Sequence, residues 1–468
     1  MSVWVQILLT IAFVSLIVVL ISQNRHPVRT LAWILILCLI PVLGLVLYLV
    51  FGTEKKRSRL VSDSRLSSIK EKAAAVNESM VRRNVPDGHD DIASLLWTTN
   101  RAIPMAGNDV RVFTRFDDMF ESLMEDIYSA KDHVHFEFFK FEDDPIGRRI
   151  GELLIELAQR GVEVRVTYDS AANLTRGRFY RWLRKGGVKV HSFLPVIVPF
   201  LSTSTNYRNH RKLVVIDGRI GYTGGMNIAE RYSSGVHGGI WRDTHIRVEG
   251  PAAAEMQTAF IVNWQFCSKE QLDGDRYFPA INSMGDSVLQ VATSGPMDEW
   301  NVTMQGMTRM ITQARDYVYI ESPYLIPTES VLMALRNAAL SGTDVRIIIP
   351  YRGDKGVLVP LASRSYVEEC LVAGVRIFFY GGGYMHSKTI VSDDSIATVG
   401  STNLDVRSFE QDFEINAFIY DRDVTMELKR AFLDDQANSR EVFLKEWTER
   451  SRWERFKESF ARIFSPIL

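Results

Sequence analysis

Cysteine is scarce in this chain, which has three cysteines among 468 residues. Cys38, Cys267 and Cys370 lie far apart, and Cys38 falls within an apolar run. A disulfide scaffold or a zinc cluster needs cysteines at close and regular spacing. The sequence therefore predicts neither of them.

An excess of charge of either sign is also missing. The 55 Lys and Arg residues nearly balance the 56 Asp and Glu residues, and the formal net charge is −1. Proteins that bind nucleic acid usually present a strongly basic surface. This balance therefore disfavours nucleic acid as a partner.

Charged residues are absent from two apolar runs near the start of the chain, Val3 to Ile21 and Leu31 to Phe51. Each run is long enough to cross a bilayer as a helix. The nine residues between them leave room for a short loop only, so the pair is predicted to form a transmembrane hairpin. A cleaved signal peptide is the alternative for the first run, which lacks the usual basic start.

The basic residues around the second run set the expected orientation. The loop before it holds two arginines, and the stretch after it holds four basic residues, namely Lys55, Lys56, Arg57 and Arg59. Segments rich in Lys and Arg tend to stay in the cytoplasm. The rest of the chain is therefore expected on the cytoplasmic side.

What the chain does contain is one motif in two copies, 176 residues apart. The motif is H-x-K-x-x-x-x-D, and each copy continues to a small-residue pair fourteen residues after its His and to an Asn seventeen residues after it. One such motif is expected by chance at roughly one position in ten thousand. The repeat predicts one composite site with these members: His210, Lys212, Asp217, Gly224, Gly225 and Asn227 from the first copy, and His386, Lys388, Asp393, Gly400, Ser401 and Asn403 from the second.

Each motif is expected to form a β-hairpin. His210 and Lys212 differ by two positions, so their side chains point to one face of a strand. The apolar residues 213–216 are typical of a buried strand, and Asp217-Gly218 is a strong turn signal. The motif Asp would lie about 23 Å from its own His at ~3.3 Å per residue, so we expect it to bind backbone amides in the turn.

Other carboxylates must then orient the two imidazoles. The candidates are Asp243 and Glu414, each about thirty residues after its motif and beside a strand-like stretch. An acceptor on one ring nitrogen fixes which nitrogen keeps the proton.

Two His, two Lys and two Asn suit the chemistry of phosphodiesters. A neutral imidazole can attack phosphorus, and a protonated one can give its proton to the leaving alkoxide. Identical side chains then need opposite protonation states, which neighbouring groups can set. The Lys and Asn side chains would donate to the phosphoryl oxygens, so no metal and no cofactor is expected.

The two halves are predicted to be a duplication. Residues 161–166 read GVEVRV and residues 342–347 read GTDVRI, each after a predicted strand and helix. This predicts an α/β fold with two α-β-α sandwich repeats related by a pseudo-two-fold axis, preceded by the transmembrane hairpin. The predicted boundaries are 1–52 for the transmembrane helices, 53–106 for a polar connector, 107–285 and 286–440 for the repeats, and 441–468 for an amphipathic C-terminal helix.

Two apolar features are not part of this duplication. Residues 193–201 form an apolar segment with two prolines, expected to be either a buried loop or a hydrophobic wall for acyl chains. In the tail, Trp453, Phe456, Phe460 and Phe464 follow helical spacing among basic residues. That helix is expected to pack on the domain, to lie among lipid headgroups, or to do both.

At its two motifs the chain resembles the phospholipase D superfamily, which is defined by H-x-K-x-x-x-x-D in two copies. Further stretches are similar to bacterial cardiolipin synthases, namely Val134–Phe141, Asp144–Arg148, Asn206–Lys212, Ser322–Pro327 and Asn403–Phe409. The resemblance implies an enzyme of the bacterial cell membrane that transfers a phosphatidyl group between two phosphatidylglycerol molecules and releases glycerol. Gly225 stands where the second copy has Ser401, so the halves are expected not to be equivalent.

By analogy with that family, His210 is the expected nucleophile and His386 the general acid and later the general base. The reverse assignment stays open. A phospholipase D-type hydrolase or a phosphatidylserine synthase could carry the same residues, and a nuclease is a further alternative from another substrate class.

Overall fold

The computed structural model describes residues 3–22, 27–48, 60–82, 85–195, 207–236, 238–354 and 356–468. The helices are α1 Val3–Ser22, α2 Pro27–Leu39, α3 Pro41–Leu47, α4 Asp63–Val76, α5 Asp90–Asn100, α6 Phe116–Tyr128, α7 Pro145–Gln159, α8 Gly177–Lys185, α9 Arg231–Ser234, α10 Ala253–Ser268, α11 Val302–Gln313, α12 Glu329–Leu340, α13 Leu358–Arg364, α14 Val367–Val372, α15 Val406–Glu410, α16 Arg422–Ala437, α17 Leu444–Thr448 and α18 Arg452–Arg462. The strands are β1 Met105–Phe113, β2 His133–Phe138, β3 Glu163–Asp169, β4 Lys189–Phe193, β5 Arg208–Asn209, β6 Lys212–Ile216, β7 Ile220–Gly224, β8 Ile240–Arg242, β9 His245–Glu249, β10 Ser287–Ser294, β11 Tyr317–Glu321, β12 Asp344–Pro350, β13 Arg376–Tyr380, β14 Gly383–Met385, β15 Thr389–Ser392, β16 Ile396–Gly400, β17 Asp412–Tyr420 and β18 Ser439–Val442.

One long sheet runs through both halves of the chain. Its strand order is β18-β13-β12-β11-β15-β16-β17-β10-β1-β9-β7-β6-β2-β3-β4. Read outward from the antiparallel pair β1 and β10, the first seven strands on each side correspond one to one. The two halves therefore have the same strand order, and the joint between them lies at that central pair.

Helices cover both faces of the sheet, as expected for an α/β sandwich. One apolar cluster includes residues of α5, α11 and α12, and another includes residues of α4, α10 and α16. Because both faces are covered, β6, β11 and β17 are buried along their whole length. The predicted strand, helix and strand near 132–168 match β2, α7 and β3, and those near 318–350 match β11, α12 and β12.

The two predicted hairpins are present. Strand β6 pairs antiparallel with β7, and β15 pairs antiparallel with β16. Asp217 occupies the turn of the first hairpin with φ of 51°, and Asp393 occupies the second with φ of 49°. Asp residues tolerate this left-handed conformation better than most residues do.

The turn carboxylates hold the start of a neighbouring strand. The side chain of Asp217 accepts hydrogen bonds of 2.9 Å from the N–H groups of Lys131, Asp132 and His133. Asp393 accepts equivalent bonds of 2.8 to 3.0 Å from the N–H groups of residues 315–317. Both members of the predicted composite site therefore lie in the turns and bind backbone amides, as the spacing of the motif predicts.

Asp217→Ala is expected to lower the free energy of unfolding by about 1–3 kcal/mol, because three backbone donors lose a charged acceptor. Its activity per folded molecule should fall far less than that of a His210 variant. Thermal and urea unfolding measure the first effect. Glu152→Ala, at an exposed position on α7, is the control and should be neutral. Unchanged stability of Asp217→Ala would contradict this role.

The segment predicted as a polar connector contributes to the core. Ile69 and Ala73 of α4 pack in the cluster that contains α10, and Ile92 and Leu96 of α5 pack in the cluster that contains α11. A mostly polar segment with a short apolar face resembles a surface linker in sequence, because the sequence does not show what that face packs against.

The described N-terminal residues, 3–22 and 27–48, belong to a compact unit of their own. The second predicted span is interrupted at Ile40, which separates the 13-residue α2 from the seven-residue α3. Among the described residues, no helix combines the length and apolar character needed to cross a membrane. Arg25, the basic residues 55–59 and most of the apolar loop 193–201 lie outside the described residues.

Candidate active site

The two motif histidines follow short strands that pair with the opposite half of the protein. Strand β5 pairs in parallel with the start of β17, and the N–H of His210 donates to the carbonyl oxygen of Phe413 at 3.0 Å. Strand β14 pairs in parallel with β8, and the N–H of His386 donates to the carbonyl oxygen of Arg242 at 2.7 Å. Each histidine is therefore anchored to the other repeat, and in both cases the next residue of that partner strand is a carboxylate.

These carboxylates hold the imidazoles. Nδ1 of His210 lies 2.9 Å from Oε1 of Glu414 and 3.1 Å from the carbonyl oxygen of Ser401. Nδ1 of His386 lies 2.5 Å from Oδ2 of Asp243. Because a carboxylate faces Nδ1 in each pair, we assign the proton to Nδ1 and the lone pair to Nε2 in both rings. Nζ of Lys388 also lies 2.9 Å from Nδ1 of His386. The two predicted candidates are thus the residues in contact, and each acts across the boundary between repeats.

The equivalent positions Ser401 and Gly225 make the two pairs different. The Ser401 hydroxyl donates to Oε2 of Glu414, while Gly225 has no side chain to do the same for Asp243. A Cβ atom on Gly225 would overlap Oδ1 of Asp243. The chain therefore combines the longer carboxylate with a serine at one imidazole, and the shorter carboxylate with a glycine at the other.

Gly225→Ala is expected to lower kcat/KM by ~10²-fold or more, because the added methyl group displaces Asp243 from His386. The backbone of Gly225 does not require a positive φ, so the effect comes from the space and not from backbone strain. Gly177→Ala is the matched control, since a Cβ at Gly177 meets no atom within 4 Å. Full activity of Gly225→Ala would contradict the close fit of these two residues.

The two lysines lie in the same buried site. Nζ of Lys212 donates to the carbonyl oxygen of His210 at 2.6 Å, and Nζ of Lys388 donates to the carbonyl oxygen of His386. Burial lowers the pKa of Lys212 to about 7, although Glu414 opposes this shift. Burial likewise lowers the pKa of Lys388, against the attraction of Asp243.

The motifs influence each other through their charges. Burial first, and then Lys212 and Lys388, lower the pKa of His210 well below its usual range. Burial and Lys388, with Lys212 adding to them, lower the pKa of His386 to about 3 despite Asp243. Both imidazoles are therefore neutral near pH 7 under the charges of the chain alone. The expectation that neighbouring protein groups separate the two protonation states is not met.

The pKa values of the two carboxylates beside the imidazoles are shifted in opposite directions, whereas those of both imidazoles are lowered. Burial raises the pKa of Glu414 to about 7, although Lys212 lowers it in part. Burial would also raise the pKa of Asp243, but Lys388 and His386 together bring it below its usual value. Asp243 is therefore the carboxylate that stays ionised, and it can stabilise an imidazolium at His386.

The predicted phosphate-binding residues are placed unequally. Oδ1 of Asn227 accepts from the N–H of Lys140 at 3.1 Å, and its Nδ2 donates to the hydroxyl of Tyr232 at 2.5 Å. Oδ1 of Asn403 is buried and has no hydrogen-bond partner among the described residues. Gly224 lies against the backbone of β9, where a Cβ would meet Cα of His245 at 2.5 Å. Its placement indicates a packing role.

Aromatic rings line the site, and sequence reasoning did not single them out. Phe139 presents its edge to His210 with ring centroids 4.9 Å apart. Trp241, Tyr384 and Tyr232 surround His386 at 5.1, 5.8 and 5.9 Å. The sequence did offer one signal, since Trp241 is two residues before Asp243 and Tyr384 is two residues before His386. These rings limit access of water to the imidazoles.

Two buried arginines bond to the backbone carbonyl oxygens of the two orienting residues. Sequence reasoning did not identify these arginines either. Nε of Arg211 donates to the carbonyl oxygen of Glu414 at 3.0 Å, and Nη1 of Arg242 donates to that of Asp243 at 2.7 Å. Arg211 stands between His210 and Lys212, so strand alternation turns its side chain away from both of theirs. That alternation was the signal that could have located it.

A cation site must also be considered, because ligand atoms of His210, Asp412 and Glu414 lie within 4.8 Å of one another. Burial raises the pKa of Asp412 well above its usual value, despite the nearby Arg407. A protonated carboxyl is a poor metal ligand. Lys212 and Lys388 already supply positive charge here, so these residues fit a metal ion poorly.

The chain has two similar repeats, and their His-x-Lys hairpins lie in one buried site. This arrangement defines a phospholipase D-like protein. A family model described as "Cardiolipin synthase, PLD-like domain" matches residues 123–260 and 307–436, and one described as "Phospholipase_D-nuclease N-terminal" matches residues 7–52. The chain therefore belongs to the cardiolipin synthase family.

Individual relatives agree with this assignment. The chain is 37% identical to the cardiolipin synthase of Listeria monocytogenes serotype 4a, with 99% of this chain and 98% of that protein covered. It is 39% identical to the major cardiolipin synthase of Bacillus subtilis, with 97% and 96% covered. The crystal structure of phosphatidylserine synthase from Haemophilus influenzae has the same fold, with a TM-score of 0.61, 15% identity, and 81% of this chain and all of that chain covered.

Proposed function

We propose that this protein is a membrane-bound cardiolipin synthase, a phosphatidyltransferase acting on two phosphatidylglycerol molecules. The observation that carries the proposal is the cross-repeat pairing of each imidazole with a carboxylate, in a site that also holds both motif lysines. Near-complete coverage by cardiolipin synthases of other bacteria supports the substrate class.

In the first step, Nε2 of His210 attacks the phosphorus of one phosphatidylglycerol. A P–N bond forms, the P–O bond to the headgroup glycerol breaks, and protonated His386 gives its proton to the leaving alkoxide. In the second step, His386 removes the proton from a hydroxyl of the second phosphatidylglycerol. That oxygen attacks phosphorus, the P–N bond breaks, and cardiolipin leaves.

The assignment of roles rests on the carboxylates. Ionised Asp243 favours a positive charge on His386, as the general acid requires, whereas neutral His210 suits the nucleophile. The phosphodiester brings one negative charge between the lysines. It offsets their repulsion of an imidazolium and raises the pKa of His386 on binding.

Lys212 and Lys388 stabilise the charge that develops on the phosphoryl oxygens in the transition state. The proposed contribution of Asn227 and Asn403 comes from their Nδ2 groups, which are the donors of these side chains. Nδ2 of Asn227 also donates to the hydroxyl of Tyr232. Arg211 and Arg242 act as positioning residues, because they bond to the backbone carbonyl oxygens of Glu414 and Asp243.

Transfer requires the acceptor alcohol to outcompete water at the phosphohistidine. The aromatic rings around both imidazoles favour this by limiting water in the site.

We also propose that the N-terminal segment crosses the membrane as a hairpin with the catalytic repeats on the cytoplasmic side. The two uncharged apolar runs of the sequence and the match of residues 7–52 to an N-terminal family model support an anchor. Such an anchor keeps the enzyme where phosphatidylglycerol is concentrated.

A product assay tests the function. The purified protein in vesicles of phosphatidylglycerol should form one glycerol for each cardiolipin, and His386→Ala should form neither. Phosphatidic acid as the sole product would reject transfer and indicate a hydrolase.

The pH dependence of kcat/KM is expected to be bell-shaped with its maximum near pH 7. The pKa of Glu414 and that of Lys212 both lie at about 7, and the two groups interact. The acidic and alkaline limbs of the pH profile therefore report the coupled titration of both groups. At lower pH, Glu414 takes up a proton and supports His210 less well. At higher pH, Lys212 loses the charge that the phosphoryl oxygens need.

Lys212→Arg provides the control for that profile, because a guanidinium stays protonated at all working pH values. This variant should be slower overall and should lose the alkaline limb near pH 7. An alkaline limb that is the same in Lys212→Arg would contradict the assignment to Lys212.

A further inference from the structure

The last helix of the chain exposes a row of large apolar side chains. Trp453, Phe456 and Phe460 of α18 and Ile463 at its C-cap are spaced by three, four and three residues, which places them on one side of the helix. Their side chains are 65%, 57%, 52% and 70% exposed. We call these four residues the aromatic face.

The helix cannot bury this face by rotating, because its other side is fastened to the domain. Ala461 and Glu458 are buried, and Glu458 accepts bonds of 2.6 and 3.0 Å from the guanidinium of Arg450. Arg462 donates to Glu369 and lies 4.1 Å from the ring centre of Tyr366. The orientation that exposes the aromatic face is thus set by specific contacts.

Basic residues border the aromatic face. Arg452, Arg455 and Lys457 are on the same helix, and none of them has a carboxylate within 4.0 Å among the described residues. Arg450 and Arg462, by contrast, are paired with carboxylates. Three unpaired basic residues therefore stand beside the apolar row against one exposed carboxylate of the helix, Glu454, so the net charge there is positive.

A cavity adjoins the same helix. Its volume is about 370 Å³, and its lining includes four arginines, Arg364, Arg450, Arg452 and Arg455, and two glutamates, Glu368 and Glu458. This volume is within the range of small-molecule sites, and the excess of arginines over glutamates favours an anionic occupant.

We propose that α18 lies in the surface of an anionic bilayer, with the aromatic face inserted at the boundary between headgroups and acyl chains. Aromatic side chains favour that depth, and Arg and Lys beside them attract anionic headgroups. The cavity receives the phosphate of a lipid that does not react. This membrane contact lies beyond residue 436, outside the family matches, and it is independent of the proposed reaction.

The charge pattern selects the bilayer over a protein partner. A protein would have to supply both an apolar groove and acidic groups on its rim, whereas an anionic membrane offers the two at once. The contact also gives the catalytic unit a second attachment to the membrane, in addition to the proposed hairpin.

Photo-crosslinking of the full-length protein in vesicles tests this directly. Benzoylphenylalanine replaces Phe460 in one variant and Met333 of α12 in the control, two positions with nearly equal exposure of 52% and 53%. In vesicles of phosphatidylglycerol and phosphatidylcholine, illumination at position 460 should give at least ~5-fold more lipid adduct than at position 333. Mass spectrometry of the peptides measures both.

A second variant tests the charges. Arg452→Gln, Arg455→Gln and Lys457→Gln together should reduce the lipid adduct at position 460 severalfold, and vesicles of phosphatidylcholine alone should do the same. Equal adducts at positions 460 and 333 would overturn the proposal, as would a crosslink from 460 to a second protein chain. Because no activity is measured, failure here leaves the proposed reaction untouched.

Discussion

Replacing His210 by Ala is expected to abolish cardiolipin formation and the covalent phosphatidyl-enzyme together. The loss of kcat should be on the order of 10⁴ to 10⁶-fold, as for removal of other catalytic nucleophiles. The reason is that Nε2 of His210 forms the bond to phosphorus. Labelled phosphatidylglycerol, rapid denaturation and peptide mapping would measure the adduct, and unfolding curves would show that the variant is folded.

His386→Ala is the matched companion, because it keeps the nucleophile and removes the proton donor. With a phosphatidyl ester of p-nitrophenol, whose leaving group departs without a proton, this variant should form the adduct on His210 and retain it. The second half-reaction fails because no base activates the acceptor. An adduct in His210→Ala, together with none in His386→Ala, would reverse the two roles.

Replacing Asp243 by Asn is expected to lower kcat by ~10³ to 10⁴-fold, the cost of removing the carboxylate of a catalytic imidazole in other enzymes. Oδ2 of Asp243 lies 2.5 Å from Nδ1 of His386, although the two residues belong to different repeats. An amide nitrogen facing Nδ1 favours the wrong tautomer, and a neutral side chain no longer stabilises the imidazolium.

Two further variants sharpen this prediction. Asp118→Asn, at an exposed position of α6, should have no effect. Adding Asp243→Asn to His386→Ala should cause little further loss, because the carboxylate acts through that imidazole. Full additivity of the two losses would show that Asp243 acts elsewhere.

Local patterns in the sequence were sufficient to predict the hairpins and their turns. The spacing of His210, Lys212 and Asp217 fixes which side chains share a strand face and which one reaches the turn. Asp217 and Asp393 indeed accept bonds from three backbone N–H groups each. The duplication was predictable for the same reason, since matching short segments need no knowledge of long-range contacts.

Pairing between the repeats could not be derived in this way. Which carboxylate serves which imidazole depends on β5 joining β17 and β8 joining β14, contacts between residues more than 140 positions apart. Nothing within either motif encodes the partner strand. The packing of α4 and α5 in the core was hidden for a similar reason, because their apolar faces are short and the segment is polar overall.

The electrostatics of the site also required the three-dimensional structure. From composition alone, two lysines beside two histidines indicate phosphate binding. Burial of these four side chains, which only the structure shows, lowers the pKa of Lys212 to about 7 and keeps both imidazoles neutral. Substrate charge is therefore part of the mechanism, since it brings His386 to the protonated state that the first step needs.

In the proposed reaction both imidazoles act on one phosphorus atom, and a crystal structure with orthovanadate tests this most directly. The predicted result is vanadate attached to Nε2 of His210, with its opposite apical oxygen hydrogen-bonded to Nε2 of His386. Vanadate held by one imidazole, with the other out of hydrogen-bonding reach, would contradict it.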